Sequence, residues 1–112
     1  MSTLEITDLV VGDGNVATEG TLVTAHYTGW FEDGTPFDSS HFRGRPIQCV
    51  LGSGRVIQGW DKGMLGMKTG GKRKLFVPAH MAYGERGIGH RIRPNTNLMF
   101  EIELLDVVKR EA

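Results

Sequence analysis

Most apolar positions in this chain follow a period of two. Residues 2–11 alternate loosely, with Leu4, Ile6 and the run Leu9 to Val11, and predict a first strand. The stretch "TLVTAHYTGWF" (21–31) is β-branched and aromatic, a second strand with Val23, Ala25, Tyr27, Gly29 and Phe31 on one face. "EDGT" (32–35) is an Asp-Gly hairpin signal, followed by Phe37 and Asp38 on a short return strand. "SSHFRGRP" (39–46) is polar and reads as a loop or bulge. "IQCVL" (47–51) is strand-like, with Ile47, Cys49 and Leu51 on one face. "KTGG" (68–71) is a turn and "KRKLFVP" (72–78) a strand, with Arg73, Leu75 and Val77 set against Lys74 and Phe76. Residues 79–97 show little periodicity and form a long loop, a length that is usually functional. Residues 98–108 alternate clearly, with Leu98, Phe100, Ile102 and Leu104 on one side.

One segment breaks the period. In "GSGRVIQGWDKGM" (52–64), Val56/Ile57, Trp60 and Met64 recur about one turn apart and predict a helix over about 56–65. Gly59 and Gly63 lie inside it, each costing roughly 1 kcal/mol against Ala. Either the backbone must approach something closely there, or Trp60 is a surface that a ligand touches. Five or six strands with one short helix predict an α+β fold, an antiparallel sheet packed on that helix. Glycines would permit the close approach.

Composition changes this picture little. The chain has 112 residues, one domain over 1–112, with an ordinary 39% of hydrophobic residues. Lys plus Arg number 13, as do Asp plus Glu, and this neutral balance argues against a dedicated nucleic-acid or membrane-surface binder. Cys49 is the one cysteine, so no internal disulfide forms and a reducing compartment fits best. With no signal-peptide pattern and no run long enough to span a bilayer, the expected address is the cytoplasm. Sixteen glycines, about twice the usual share, punctuate the chain as tight turns between short elements.

Several chemistries find no support. "GMKTGGK" (66–72) begins like a phosphate loop, but Arg73 stands where Ser or Thr is required and a strand follows instead of a helix. His26, His41, His80, His90 and Cys49 lack metal-ligand spacing and read as scattered surface histidines and a small buried hydrophobe. Lys72, Arg73 and Lys74, with Arg91 and Arg93, read as a solvated basic edge. Among the aromatics, Phe31 and Phe76 read as core. Tyr27, Phe37, Trp60, Tyr83 and Phe100 admit a second reading, as the walls of a site.

That second reading is carried by "HYTGWFEDGTPFDSS" (26–40), "GSGRVIQGWDKGMLGMKTGGKRKLFVP" (52–78), "YGERG" (83–87) and "NTNLMFEIELLDV" (95–107). In order and spacing they resemble the small single-domain FKBP-type peptidyl-prolyl cis-trans isomerases over nearly the full length. The resemblance implies an FKBP-like fold, five strands or so wrapped around one short helix. It implies a rotamase that assists protein folding, acting on proline-containing peptides and unfolded proteins. It also implies binding of macrolide inhibitors such as tacrolimus and rapamycin, with no cofactor and no metal. A monomer is expected, with neither nucleic acid nor membrane as a partner. Trp60 then matches the floor of an apolar pocket, and Tyr27, Phe37, Ile47, Val56, Ile57, Tyr83, Ile92 and Phe100 match its walls. Asp38 matches the one carboxylate and Arg43 the arginine paired with it. Catalysis would rest on Asp38, on the Ile57 N–H and on the Tyr83 hydroxyl.

An alternative is a pocket module with little turnover. Replacement of Asp38 or Tyr83 would mark it, and both are present. The sequence departs from the family pattern in two places. Ile47 replaces a common aromatic wall residue. The loop "GIGHRIRPN" (87–95) carries His90, Arg91 and Arg93 where small or apolar residues are usual. At the rim they would make a cationic mouth favouring acidic peptides; pointing away, they would be a solvated edge. The inserted flap and His-rich tail of metal-linked bacterial members have no counterpart, so broad chaperone activity is not expected.

Overall fold

The computed structural model describes residues 3–109. Six strands appear in chain order: β1 (Glu5–Val10), β2 (Leu22–Phe31), β3 (Pro36–Ser39), β4 (Ile47–Val50), β5 (Lys72–Val77) and β6 (Leu98–Val108). One helix, α1 (Gln58–Gly63), lies between β4 and β5. The sheet is antiparallel, in the order β1-β5-β6-β2-β3, and β4 also pairs with β2. The α+β class and the sheet wrapped on one helix are as the period-two pattern predicts.

The long strands obey their alternation. Val23, Ala25, Tyr27 and Gly29 of β2 are buried, and Leu98, Phe100, Ile102 and Leu104 of the neighbouring β6 stand beside them on the same face of the sheet. A bulge ends that rhythm. Ala25 pairs with Leu104 but Thr24 pairs with Asp106, so Leu105 is the extra residue, and Val107 rather than Val108 turns inward.

β2 shares one edge between two strands. β4 covers Leu22 to Ala25 and β3 covers Thr28 to Trp30. Between them the chain detours through a 3-10 turn over Ser40–Arg43, in the segment read from sequence as loop or bulge. The detour leaves the backbone of Tyr27 without a strand partner on that side. Two buried serines take over: Tyr27 N–H donates to Ser40 Oγ at 2.8 Å, and Ser39 Oγ donates to Tyr27 C=O at 3.1 Å.

The helix is shorter than the predicted 56–65. Ile57 is its extended N-cap, and Gly66, at φ +84°, turns the chain away beyond its end. Its glycines are there for contact. A Cβ on Gly59 would come within 2.4 Å of Val77 Cγ1, and one on Gly63 within 2.7 Å of Leu75 Cδ1. Only glycine at both positions lets α1 lie flat on β5, which resolves the poor helix propensity of the segment.

Other expectations need correction. β1 spans Glu5–Val10, and the start assigned to residue 2 lies outside the described residues. Phe76 is half-buried on the outer side of the sheet opposite Met99, because β5 turns Leu75 and Val77 inward. Arg73 is no solvated edge. It lies on the inner side of β5, donates to Gly63 C=O at 2.9 Å and Leu65 C=O at 2.6 Å, and pairs with Asp8 at 2.6 Å. The histidines are not all scattered: the rings of His26 and His41 stack 4.1 Å apart, with His26 Nδ1 2.8 Å from Ser40 Oγ.

Candidate active site

A cavity of about 490 Å³ opens where β2, β3 and β6 meet the start of α1. Trp60 lines it, 6% exposed, with its indole packed edge-on against two rings. Tyr27 lies 4.7 Å away at 72° and Phe100 5.3 Å away at 85°, both favourable T-shaped contacts. Phe37 meets Phe100 at 5.8 Å and 78°. Four aromatic rings from three strands and one helix thus brace one another around the space. Gly29 makes room for them: a Cβ there would lie 2.7 Å from Phe37 Cζ and 2.9 Å from Phe100 Cε1. A glycine amid strand aromatics signals such a close approach in sequence.

Among the described residues, Asp38 is the one carboxylate in the lining. Tyr27 Oη donates to Asp38 Oδ2 at 2.5 Å, Arg43 Nη1 donates to Oδ1 at 2.9 Å, and Arg43 Nη2 donates to Tyr27 Oη at 2.6 Å. The Ser39 N–H adds a fourth bond, to Oδ1, at 2.8 Å. Burial pushes the Asp38 carboxyl up, but the bonds from Tyr27 and Arg43, the Arg43 charge and the Ser39 N–H outweigh it. The net pKa lies below the ordinary value, so the group is a fixed negative charge near neutrality. Tyr27 moves the other way, raised by burial and by its bond to Asp38, and stays a donor. Tyr83 is likewise raised, by burial first and the Asp38 charge second, and its hydroxyl keeps its proton. Ile57 precedes the first turn of α1, and its N–H makes no hydrogen bond to the described residues.

The family pattern of the FKBP-type peptidyl-prolyl cis-trans isomerases matches residues 14–105. The chain belongs to this family of isomerases. It is similar to an FK506-binding protein of Neisseria meningitidis serogroup A, 54% identical over 107 residues that cover 96% of this chain and 98% of the relative. It is similar to the peptidyl-prolyl cis-trans isomerase FPR2 of Saccharomyces cerevisiae, 54% identical over 92 residues, covering 81% and 68%. Among solved structures, the crystal structure of AtFKBP13 superposes with a TM-score of 0.86 at 43% identity, covering 92% of this chain and 91% of that one.

Within this FKBP-type domain the cavity gathers Tyr27, Phe37, Asp38, Ile47, Val56, Ile57, Trp60, Tyr83 and Phe100, from Tyr27 on β2 to Phe100 on β6. Two residues matched from sequence lie elsewhere. Arg43 does not line the cavity; it stands behind Asp38 and Tyr27, with its guanidinium carbon 5.5 Å from the Tyr27 ring centre. Ile92 is 4% exposed and packs in the core, closed in a tight bridge with Ile88. Gln48 and Arg55 line the cavity and were not singled out from sequence. Both are polar residues in a strand and a turn, and nothing in their local pattern separates them from ordinary surface. Ser39 and Ser40 were legible only as polar loop residues. That they clamp Tyr27 follows from how β3 and β4 divide one edge of β2.

Proposed function

We propose that X–Pro bonds rotate in the cavity over Trp60, with Asp38, Ile57 and Tyr83 carrying the step and Tyr27, Phe37, Val56 and Phe100 enclosing the proline. The observation behind this reading is the pairing of aromatic walls with one carboxylate, Asp38, held in place by Tyr27 and Arg43. Amide resonance sets a barrier of about 18–20 kcal/mol, and the planar amide is more dipolar than the twisted one. Aromatic walls strip water from the planar form at greater cost than from the twisted form, which favours the twisted state. The Ile57 N–H and the Tyr83 hydroxyl anchor carbonyls on either side of the bond that turns. Asp38 sets a negative potential at the carbonyl carbon, where the loss of resonance leaves positive charge. Macrolides such as tacrolimus and rapamycin occupy the same space and compete with peptide.

The protein acts as a monomer on proline-containing peptides and unfolded chains, in the cytoplasm. The free thiol of Cys49 suits a reducing address; burial and the Asp61 charge push it up to about 11, which keeps it unreactive. The test is cis/trans exchange of an uncharged X–Pro peptide followed by NMR, with and without tacrolimus. Acceleration that one equivalent of the drug abolishes supports the reading. Acceleration that the drug leaves unchanged would place turnover outside this cavity.

A further inference from the structure

A second cavity, of about 470 Å³, lies on the far side of Phe37. Phe31, Asp33, Thr35, His90, Arg91, Arg93 and Thr96 line it. The partition between the two cavities is thin. Phe37 lines the first and Phe31 the second, with ring centres 5.0 Å apart and planes tilted by 35°. Arg91 bridges the partition, its Nη2 donating to Phe37 C=O at 3.3 Å.

The loop that carries the cations has a fixed shape. Ile88 and Ile92 exchange backbone bonds of 2.8 and 3.1 Å, and Thr96 Oγ1 donates to Arg93 C=O at 2.7 Å. Gly87, at φ +62°, seats this turn: a Cβ there would lie 2.2 Å from Ile92 C=O. Two arginines and a histidine are therefore presented as a set over an aromatic wall. One acidic group, Asp33, opposes them, and its Oδ1 is engaged by the Thr35 N–H at 2.8 Å.

We propose that this second cavity is an extension of the substrate groove that accepts an acidic side chain of the bound polypeptide, with Arg91 and Arg93 as the specificity-determining residues. The proposal rests on the reading of the first cavity as the site of rotation. A chain held with its proline over Trp60 crosses Phe37 to reach Arg91 and Arg93. Three residues of extended chain reach about 10 Å, enough to cross the Phe31–Phe37 pair, whose ring centres lie 5.0 Å apart. The arginine fork can take a carboxylate through two parallel bonds, while a lysine there would meet like charges. Because the cations are exposed, the preference is modest and sensitive to salt.

The experiment compares peptides with a single X–Pro bond and no other charge, carrying Glu, Lys or Gln three residues before or after the proline. kcat/KM for exchange is measured by NMR at about 0.01 M and about 1 M salt, where the screening length falls from about 30 Å to about 3 Å. At low salt the Glu peptide on one side of the proline should exceed the Lys peptide by about three- to tenfold, falling below twofold at high salt. R91Q/R93Q should equalise the Glu and Lys peptides. Asp33→Asn should widen the Glu preference. Equal rates for Glu and Lys in wild type, or a preference that survives R91Q/R93Q, would overturn the proposal. So would its removal by Arg55→Gln with R91Q/R93Q unaffected, since Arg55 belongs to the first cavity. Wild type that left even the Gln peptide unaccelerated would refute the underlying site, an outcome distinct from a flat charge preference.

Discussion

The two cavities on either side of Phe37 are similar in size and opposite in construction. The first is walled mainly by side chains that belong to the hydrophobic core or pack on it, from four strands, the helix and the segments between them. Its geometry is set by sheet register and by α1 lying on β5. The second is edged by exposed cations on one loop, shaped by local turns and backbone bonds. Under the proposed function and its extension to the second cavity, this fold separates chemistry from selection. Atoms that must hold fixed positions hang from the core, where any shift is resisted by close packing. Charges that only bias which chain enters stand on a loop, where substitution leaves the core untouched.

Removing a wall from the first cavity should have the largest effect. Trp60→Ala deletes a buried side chain at the junction of α1 with Tyr27 and Phe100. It should lower stability by about 3–5 kcal/mol, read from urea unfolding. Where the variant stays folded, calorimetry should find tacrolimus affinity lower by several-fold to tens of fold. Wild-type affinity in a folded variant would disprove that Trp60 floors the site.

Gly59→Ala tests the seat of the helix instead of the wall. The new methyl would lie 2.4 Å from Val77 Cγ1, and Val77 is fully buried. Overpacking of this kind costs about 1–3 kcal/mol, against which better helix propensity returns up to about 1 kcal/mol. A lower urea midpoint together with weaker ligand binding is expected. A raised midpoint would mean that α1 can lift off β5 without harm.

Asp38→Asn keeps shape and removes charge. A drop in kcat/KM of about tenfold, equivalent to about 1.4 kcal/mol, is expected with a smaller change in KM. In wild type the folded pKa of Asp38 lies below its unfolded value of about 3.9, so its contribution to stability is present above that value. It is lost as the pH falls through the folded pKa. Activity should therefore stay level from neutrality down to about pH 5 and fall only in stronger acid. An activity loss centred near pH 6.5 would point to a histidine and against Asp38.

The smallest effect belongs to the second cavity. Arg93→Gln alters an exposed loop side chain, and its unfolding free energy should stay within about 0.5 kcal/mol of wild type. A larger loss would show that the loop is braced by its arginines and that the two regions are less separate than their construction implies.

Much of this protein was legible in its sequence. Period-two alternation marked β2 and β6 because one face of each strand is buried, and burial imposes a strict rhythm on residue type. Gly59 and Gly63 pointed to a close backbone approach or to Trp60 as a surface that a ligand touches, and the close approach is to Val77 and Leu75. The aromatics and Asp38 stood out by type and by family resemblance. Tertiary structure alone decided the rest. It put Gln48 and Arg55 on the cavity and Ile92 in the core, turned Arg73 inward and paired His26 with His41. It set the Phe31–Phe37 pair between two spaces, with Arg91 bonded to the backbone of Phe37. The physical reason is range. Alternation and turn chemistry act between near neighbours along the chain, so they leave a signal in local pattern. Which polar side chain faces which space depends on the bulge at Leu105, on two strands sharing one edge of β2 and on a loop folding back over Phe37. Most of those contacts join residues well separated along the chain, and no short stretch of sequence records them.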